Sequence, residues 1–574
     1  YGGVYRRTPA QVMAAKLPME VGSRTKACTL MSWAYDPETA VNSPYHAGCF
    51  AVVESVAKVI AAGGSRSKTW LTFQEYFEKL GNDPEKWGKP AAALLGALEA
   101  QMQLQLAAIG GKDSMSGTFE DLNVPPTLVS IALSMGQADK VISPEFKRTD
   151  SYVYLLAPCM TADGLPDFDD VRFIFDMVEQ LVAGKRAIAS WAVGPGGTAE
   201  GICKMCFGNR IGFAAEKPLS WSYQPGAFLL EAKEPFLELD KFLLGRTIPE
   251  YHLELPDGEI IDLEEVQKAW EGTLQPVYPY LAPPKGTVEA FRWERETEGF
   301  PAIRVRQASP RVAIPVFPGT NCEYDTAAAF QRAGAKPEIF VLRNLTGQAI
   351  AESVDAFAEL IDRSQIVAIP GGFSGGDEPD GSGKFITAFL RNPKIRQAIE
   401  HLLHSRDGLM LGICNGFQAL CKLGLVPYGE YREAQPDSPT LTYNQIGRHQ
   451  SVMVRTRIAS NKSPWLAGVP VDSIWLTPVS NGEGRFIATE ETIREMAANG
   501  QIATQYVDLS GNPSMDLEYN PSGSLYAIEG ITSPDGRIFG KMAHVERWSE
   551  GVYRNIPDYE YLDIFRCAVN YYSV

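Results

Sequence analysis

The stretch LMLGICNGFQAL, residues 409–420, decides how the second half of the chain folds. LMLGI is a continuous apolar run, the mark of a strand buried on both faces. The segment after it, GFQALCKLG, carries the spacing of an amphipathic helix. Cys414 stands at the turn between them, framed as Gly412-Ile413-Cys414-Asn415-Gly416. That is the G-x-nucleophile-x-G elbow, in which glycines are needed because the sharp turn brings backbones close. A helix N-terminus stabilises a thiolate through its dipole and free N–H groups. The N–H of Asn415 then points to where an oxyanion forms. The alternative for such a residue is a small core cysteine of an αβ fold.

Around this elbow the pattern is a βαβ series. RVAIPVF (311–317), EIFVL and IVAIP read as buried strands, and DTAAAFQRAG reads as a helix ending in Gly334. The alternation predicts a doubly wound parallel sheet. Beyond residue 450 the pattern turns to hairpins, with LYAIEGI and RIFGKMA joined by SPDG. In IVAIPGGFSGGD a strand ends at Pro370 and runs into Gly371 and Gly372, a loop that frees N–H groups for an oxyanion and makes Gly372 the second candidate donor. A phosphate loop is the other reading, but no Gly-Lys-Ser/Thr follows.

A nucleophilic cysteine needs a base. The six histidines are His46, His252, His401, His404, His449 and His544. His401 and His404 fall on a surface helix, RQAIEHLLHSRDG. His544 is expected to end the strand RIFGKMAH, and Glu546 follows at i+2. Beyond a strand that spacing puts both side chains on one side, so Glu546 can orient the imidazole.

The 574 residues are 45% hydrophobic, enough for sizeable cores, and carry a net charge of −16. That balance argues against nucleic-acid binding. Nine cysteines, an odd number in a long chain, argue against a disulfide framework and for a reducing, cytoplasmic compartment. Cys203 and Cys206 form a C-x-x-C without two further ligands nearby, and read as a buried helix pair. No stretch approaches the ~20 apolar residues of a membrane span. The opening YGGVYRRTPAQ has neither signal core nor Met, and reads as the middle of a longer chain or a processed end. LQPVYPYLAPPKG and RWERETEGF mark a linker or tethered loop. The expected division is an α+β domain at 1–147, a second at 148–275, a linker at 276–310 and the doubly wound domain at 311–574.

In the first half, GGKDSMSGTFEDLNVPPT (110–127) is the densest polar-glycine cluster. Its Lys112, Asp113, Ser114 and Ser116 suit phosphate or a metal. Glu54, on the helix FAVVESVAKVIAAGG, can meet Asp113 around Mg²⁺; the alternative is a solvated helix face.

PGTNCEYDTAAAF, PGGFSGGDEPDG, GICNGFQAL, NGEGRF and MAHVER, in that order, resemble a class I glutamine amidotransferase domain. In particular they are similar to the glutaminase of formylglycinamide ribonucleotide amidotransferases. The resemblance implies Cys414 as nucleophile, His544 as base and Glu546 as its orienter. Asn481 stands where the family often has His, and Val545 where it often has Pro. SPYHAGCFAVVESVAKVIAAGG, LTFQEYFEKL, GGKDSMSG and GGTAEGICKMCFGNRIGF resemble the second half of the same family's synthetase, a pair of aminoimidazole-ribonucleotide-synthetase-like domains. Lys58 stands where some members carry Asn. The implied chemistry is ATP-dependent conversion of formylglycinamide ribonucleotide to its amidine, with ammonia drawn from glutamine, as a step of purine biosynthesis. The implied partner is the missing amino-terminal half. The rival readings are a freestanding cysteine hydrolase of the same fold and a non-catalytic scaffold.

Overall fold

The computed structural model describes all residues except 1, 21–22, 280–282, 296–305, 377–382, 551, 554–555, 557–558 and 574. Parts of the expected linker and of the PGGFSGGDEPDG motif therefore lie outside the described residues. The chain divides into two compact units, Tyr1–Thr273 with Gly551–Asp558, and Leu274–Glu550 with Tyr559–Val574.

The first unit holds two sheets. Five strands run in the order Met13–Lys16, Ala27–Ala34, Thr127–Gln137, Thr69–Tyr76, Ala108–Lys112, antiparallel except for the last pair. Strict alternation along Thr127–Gln137 buries Leu128, Ser130, Ala132 and Ser134 on one face. The helix Pro44–Ala61 packs there; Ser43 caps it, accepting the His46 N–H, and Pro44 begins it. The second sheet has seven strands around Tyr152–Leu156, Phe228–Ala232 and Ala187–Ala192. Val52, Phe77, Phe175 and Phe228 belong to one core joining both sheets. Cys203 and Cys206 are buried on the helix Gly197–Phe207.

The second unit is built on a nine-stranded sheet. Its parallel half runs Lys336–Val341, Arg311–Val316, Ile366–Ile369, Leu409–Ile413, Ile538–Lys541. Leu409–Ile413 is an interior strand, between Ile366–Ile369 and Ile538–Lys541, and is buried throughout, as its unbroken apolar run requires. The antiparallel half continues through Ile528–Thr532, Ile502–Val507, Gln450–Ile458 and Ile474–Asn481. The expected helix of DTAAAFQRAG is Glu323–Ala333, stopped by Gly334 at φ 97°, a conformation that favours glycine. Residues 284–295 lie along this unit, where Thr287 bridges Ser514 and Trp293 bridges Ser460.

Candidate active site

The chain turns sharply at the end of Leu409–Ile413. Cys414 has φ 52° and ψ −105°, strained for a residue with a β-carbon, and it begins the helix Asn415–Leu423. Its N–H donates to the Lys541 carbonyl at 2.8 Å and its carbonyl accepts the Gln418 N–H at 3.0 Å. The flanking glycines are sterically required. A β-carbon on Gly416 would lie 2.2 Å from the Ile369 carbonyl oxygen, and one on Gly412 would lie 2.6 Å from Leu420 Cδ1. Cys414 Sγ lies 3.8 Å from the Ser480 carbonyl oxygen.

The strand expected to end at His544 stops at Lys541. Side-chain bonds replace the ladder there. Lys541 Nζ lies 3.1 Å from Glu529 Oε1 and donates to the Ala543 carbonyl, while the Ala543 N–H donates to the same Glu529 oxygen. The next N–H, that of His544, donates to the Pro478 carbonyl at 2.8 Å. With its backbone so held, His544 presents Nδ1 to Glu546 Oε1 at 2.6 Å, and both side chains are buried. Burial alone pushes the imidazole pKa down. The Glu546 carboxylate and the thiols of Cys322 and Cys414 outweigh it and raise the pKa well above the ordinary histidine range. The buried imidazole therefore favours its charged form, the state that pairs with a thiolate.

Gly371 is where these groups converge. A β-carbon there would lie 2.7 Å from His544 Cε1, 3.3 Å from Cys322 Sγ and 3.4 Å from Cys414 Cβ. The next residue, Gly372, has φ 145° and bridges Thr320. Around it Phe373 N–H is taken by the Gly319 carbonyl and Asn321 N–H by the Gly371 carbonyl, a pattern that leaves Gly372 N–H outside the ladder. Asn415 N–H belongs to the first helical turn and has no intrahelical acceptor. The Asn415 side chain, with Gln418 of the same helix, ties the helix start to two loops: Oδ1 accepts the Ser374 N–H, Nδ2 donates to Gln418 Oε1, and Gln418 Nε2 donates to the Glu483 carbonyl. Asn481 is buried, with its carbonyl held by Asn444 Nδ2 at 2.8 Å. Val545 packs into the main core.

Cys322 was not singled out from the sequence. Its Sγ lies 3.8 Å from His544 Nδ1, accepts from Arg547 Nη2 at 3.2 Å and reaches Asn321 Oδ1 at 3.1 Å. Its one signal was its place inside PGTNCEYDTAAAF, since no spacing rule links it to a histidine so far along the chain.

In the first unit, Glu54 is buried and both of its oxygens are engaged. Lys58 Nζ lies 2.7 Å from Oε1, and the Tyr223 hydroxyl donates to Oε2. Among the described residues no contact joins Glu54 to Asp113. Mg²⁺ needs several oxygen ligands, and here an ammonium takes the place of the ion, so Glu54 as arranged does not fit it. Lys112, Asp113 and Ser116 are exposed, and Ser114 Oγ lies 2.8 Å from Ser116 Oγ. The loop is fixed by Ser114 N–H on the Glu75 carbonyl and by Gln74 Nε2 on the Lys112 carbonyl. Glu75 has its pKa raised by burial and by the charge of Asp113.

The fold and the residues gathered at its elbow define a glutamine amidotransferase, and residues 309–572 match the family model of CobB/CobQ-like glutamine amidotransferase domains. The chain is 34% identical over 284 residues to the phosphoribosylformylglycinamidine synthase subunit PurQ of Methanococcus maripaludis, a match covering 46% of this chain and 98% of that one. It is 27% identical over 536 residues to human phosphoribosylformylglycinamidine synthase, covering 79% of this chain and 39% of that one. Among solved structures, a chain of PurLQS from Thermotoga maritima is 23% identical, with 46% of this chain and 99% of that chain covered and a TM-score of 0.34. The chain belongs to the phosphoribosylformylglycinamidine synthase family. Among the described residues no helix is long and apolar enough to cross a membrane.

Proposed function

We propose that this chain supplies ammonia by hydrolysing glutamine at Cys414, and contributes half of the synthetase that converts formylglycinamide ribonucleotide to its amidine in purine biosynthesis. The observation that carries the reading is the buried His544–Glu546 pair, 2.6 Å apart, converging with the elbow cysteine on Gly371. The Cys414 thiolate attacks the glutamine side-chain carbonyl carbon, and the oxyanion is met by the N–H groups of Gly372 and Asn415. His544 gives its proton to the departing nitrogen, ammonia leaves, and a thioester remains. Water, deprotonated by His544, attacks the thioester, and collapse returns glutamate and the thiolate. Glu546 holds the ring and stabilises its charge throughout.

The ammonia is then used at the synthetase, where ATP activates the amide oxygen of formylglycinamide ribonucleotide. Lys112, Ser114 and Ser116 present two hydroxyls and an ammonium suited to a nucleotide phosphate. Their loop, with the five-stranded sheet, belongs to an amino-terminal synthetase-like domain ending near residue 147. A partner carrying the other synthetase-like half has a surface to cover. Met13, Met31, Leu133 and Trp70 align across four paired strands on the outer face of that sheet, and all but the half-buried Leu133 are exposed. Apolar rows of this kind mark interaction sites. The nine unpaired cysteines suit a reducing, cytoplasmic setting.

The test uses this chain together with the amino-terminal half. Cys414→Ala is expected to remove amidine synthesis from glutamine and to retain it from ammonium. Failure with ammonium in a folded variant would overturn the division of labour.

A further inference from the structure

Cys322, His544 and Glu546 are all buried, and each offers a ligand atom within 4.8 Å of the others. We propose that they form an inhibitory site for a thiophilic divalent cation, Zn²⁺ above all, which switches the glutaminase off by taking its base. The proposal rests on the reading of His544 as that base.

Several observations agree. The 3.8 Å between Cys322 Sγ and His544 Nδ1 is close to the ~3.6 Å that two ligands of a tetrahedral zinc subtend at bond lengths of about 2.3 and 2.1 Å. Glu546 Oε2 is buried and has no hydrogen-bond partner among the described residues, so one carboxylate oxygen remains for a ligand. Charge also matches. A thiolate, a carboxylate and a neutral imidazole balance a dication, and binding releases the thiol proton of Cys322 and the proton held between Nδ1 and Glu546. The fourth position is left to water. Arg547 Nη2, which donates to Cys322 at 3.2 Å, must turn away, and Arg547 is exposed with Asp325 3.6 Å from its Nε. Metal on Nδ1 breaks the Glu546 contact and keeps the ring from becoming an imidazolium, so neither proton transfer of glutamine hydrolysis can run.

Cobalt(II) is the probe, because thiolate ligation gives it a charge-transfer absorption in the near ultraviolet. The full chain and its Cys414→Ser, Cys322→Ser and Cys322→Ala forms are titrated, with circular dichroism to check folding. The band is expected in the wild type and in Cys414→Ser, and is expected to be lost in both Cys322 variants. In parallel, zinc is expected to inhibit glutamate release by the wild type. The zinc concentration for half-inhibition, referred to each protein's own uninhibited rate, should rise by at least about 10-fold in Cys322→Ser. A band that survives in a folded Cys322 variant, or that vanishes in Cys414→Ser, would put the ion on the nucleophile and overturn the proposal; so would the absence of any band in the wild type. If the wild type releases no glutamate without metal, the glutaminase reading fails, and the cobalt titration still decides the site.

Discussion

The ammonium of Lys541 lies 3.1 Å from the carboxylate of Glu529, with both side chains buried, directly before the turn that carries His544. The pair does more than neutralise itself. Glu529 also accepts from Ala543 N–H and the Thr504 hydroxyl, and Lys541 donates to the Ala543 carbonyl. Removing one partner leaves an uncompensated buried charge, at a cost of about 3–5 kcal/mol. Glu529→Ala is therefore expected to lower the denaturant midpoint of the second unit strongly. The double change Glu529→Leu with Lys541→Met should recover much of that stability, yet glutamine hydrolysis should stay low because the turn before His544 is no longer held. Chemical denaturation and glutamate release, measured on the same samples, check both halves.

Gly371→Ala adds a β-carbon 2.7 Å from His544 Cε1, so the ring must move. Displacement by a fraction of an ångström to an ångström costs on the order of 10²-fold in rate. The fall should appear in kcat for glutamine hydrolysis, with little change in the thermal midpoint. A variant with unaltered kcat would place His544 outside the reaction.

The raised pKa of His544 predicts a pH profile. Its imidazolium persists above the ordinary histidine range, so the alkaline limb of glutaminase activity should lie above about pH 6.5. Glu546→Gln removes the largest raising influence and should move that limb to lower pH. The stability sign follows from linkage. A group whose folded pKa is raised contributes its full stability below its unfolded value and loses it as pH rises through the folded value. The stability difference between wild type and Glu546→Gln should thus be largest near pH 6 and shrink at alkaline pH, as read by thermal melts across that range.

Much of the elbow was legible in the sequence because it is local. Gly412, Cys414 and Gly416 sit within five residues, and the apolar runs beside them have the period of a buried strand and then of a helix. The His544–Glu546 contact was legible for the same reason, through its i+2 spacing. The buried Lys541–Glu529 pair was not, since a lysine in a strand reads as a surface residue until its partner on the neighbouring strand is known. Cys322 was hidden by distance along the chain. Glu54 was expected on oxygen-ligand grounds to share Mg²⁺ with Asp113, and only the fold shows Lys58 and Tyr223 filling its coordination.

The Glu54–Lys58 pair predicts insensitivity to metal removal. Chelation should leave the thermal midpoint of the first unit unchanged, whereas Lys58→Asn should create a Mg²⁺-dependent rise. Differential scanning in EDTA and in millimolar Mg²⁺ distinguishes the two.

The central claim is that Cys414, served by His544 and Glu546, is the glutaminase nucleophile. Treating the chain with a glutamine-analogue alkylator and mapping the adduct by peptide mass spectrometry tests it most directly. The account predicts a single adduct, on Cys414, that is competed by glutamine and forms far more slowly in His544→Ala. An adduct on Cys322 in place of Cys414, or unchanged labelling in His544→Ala, would contradict it.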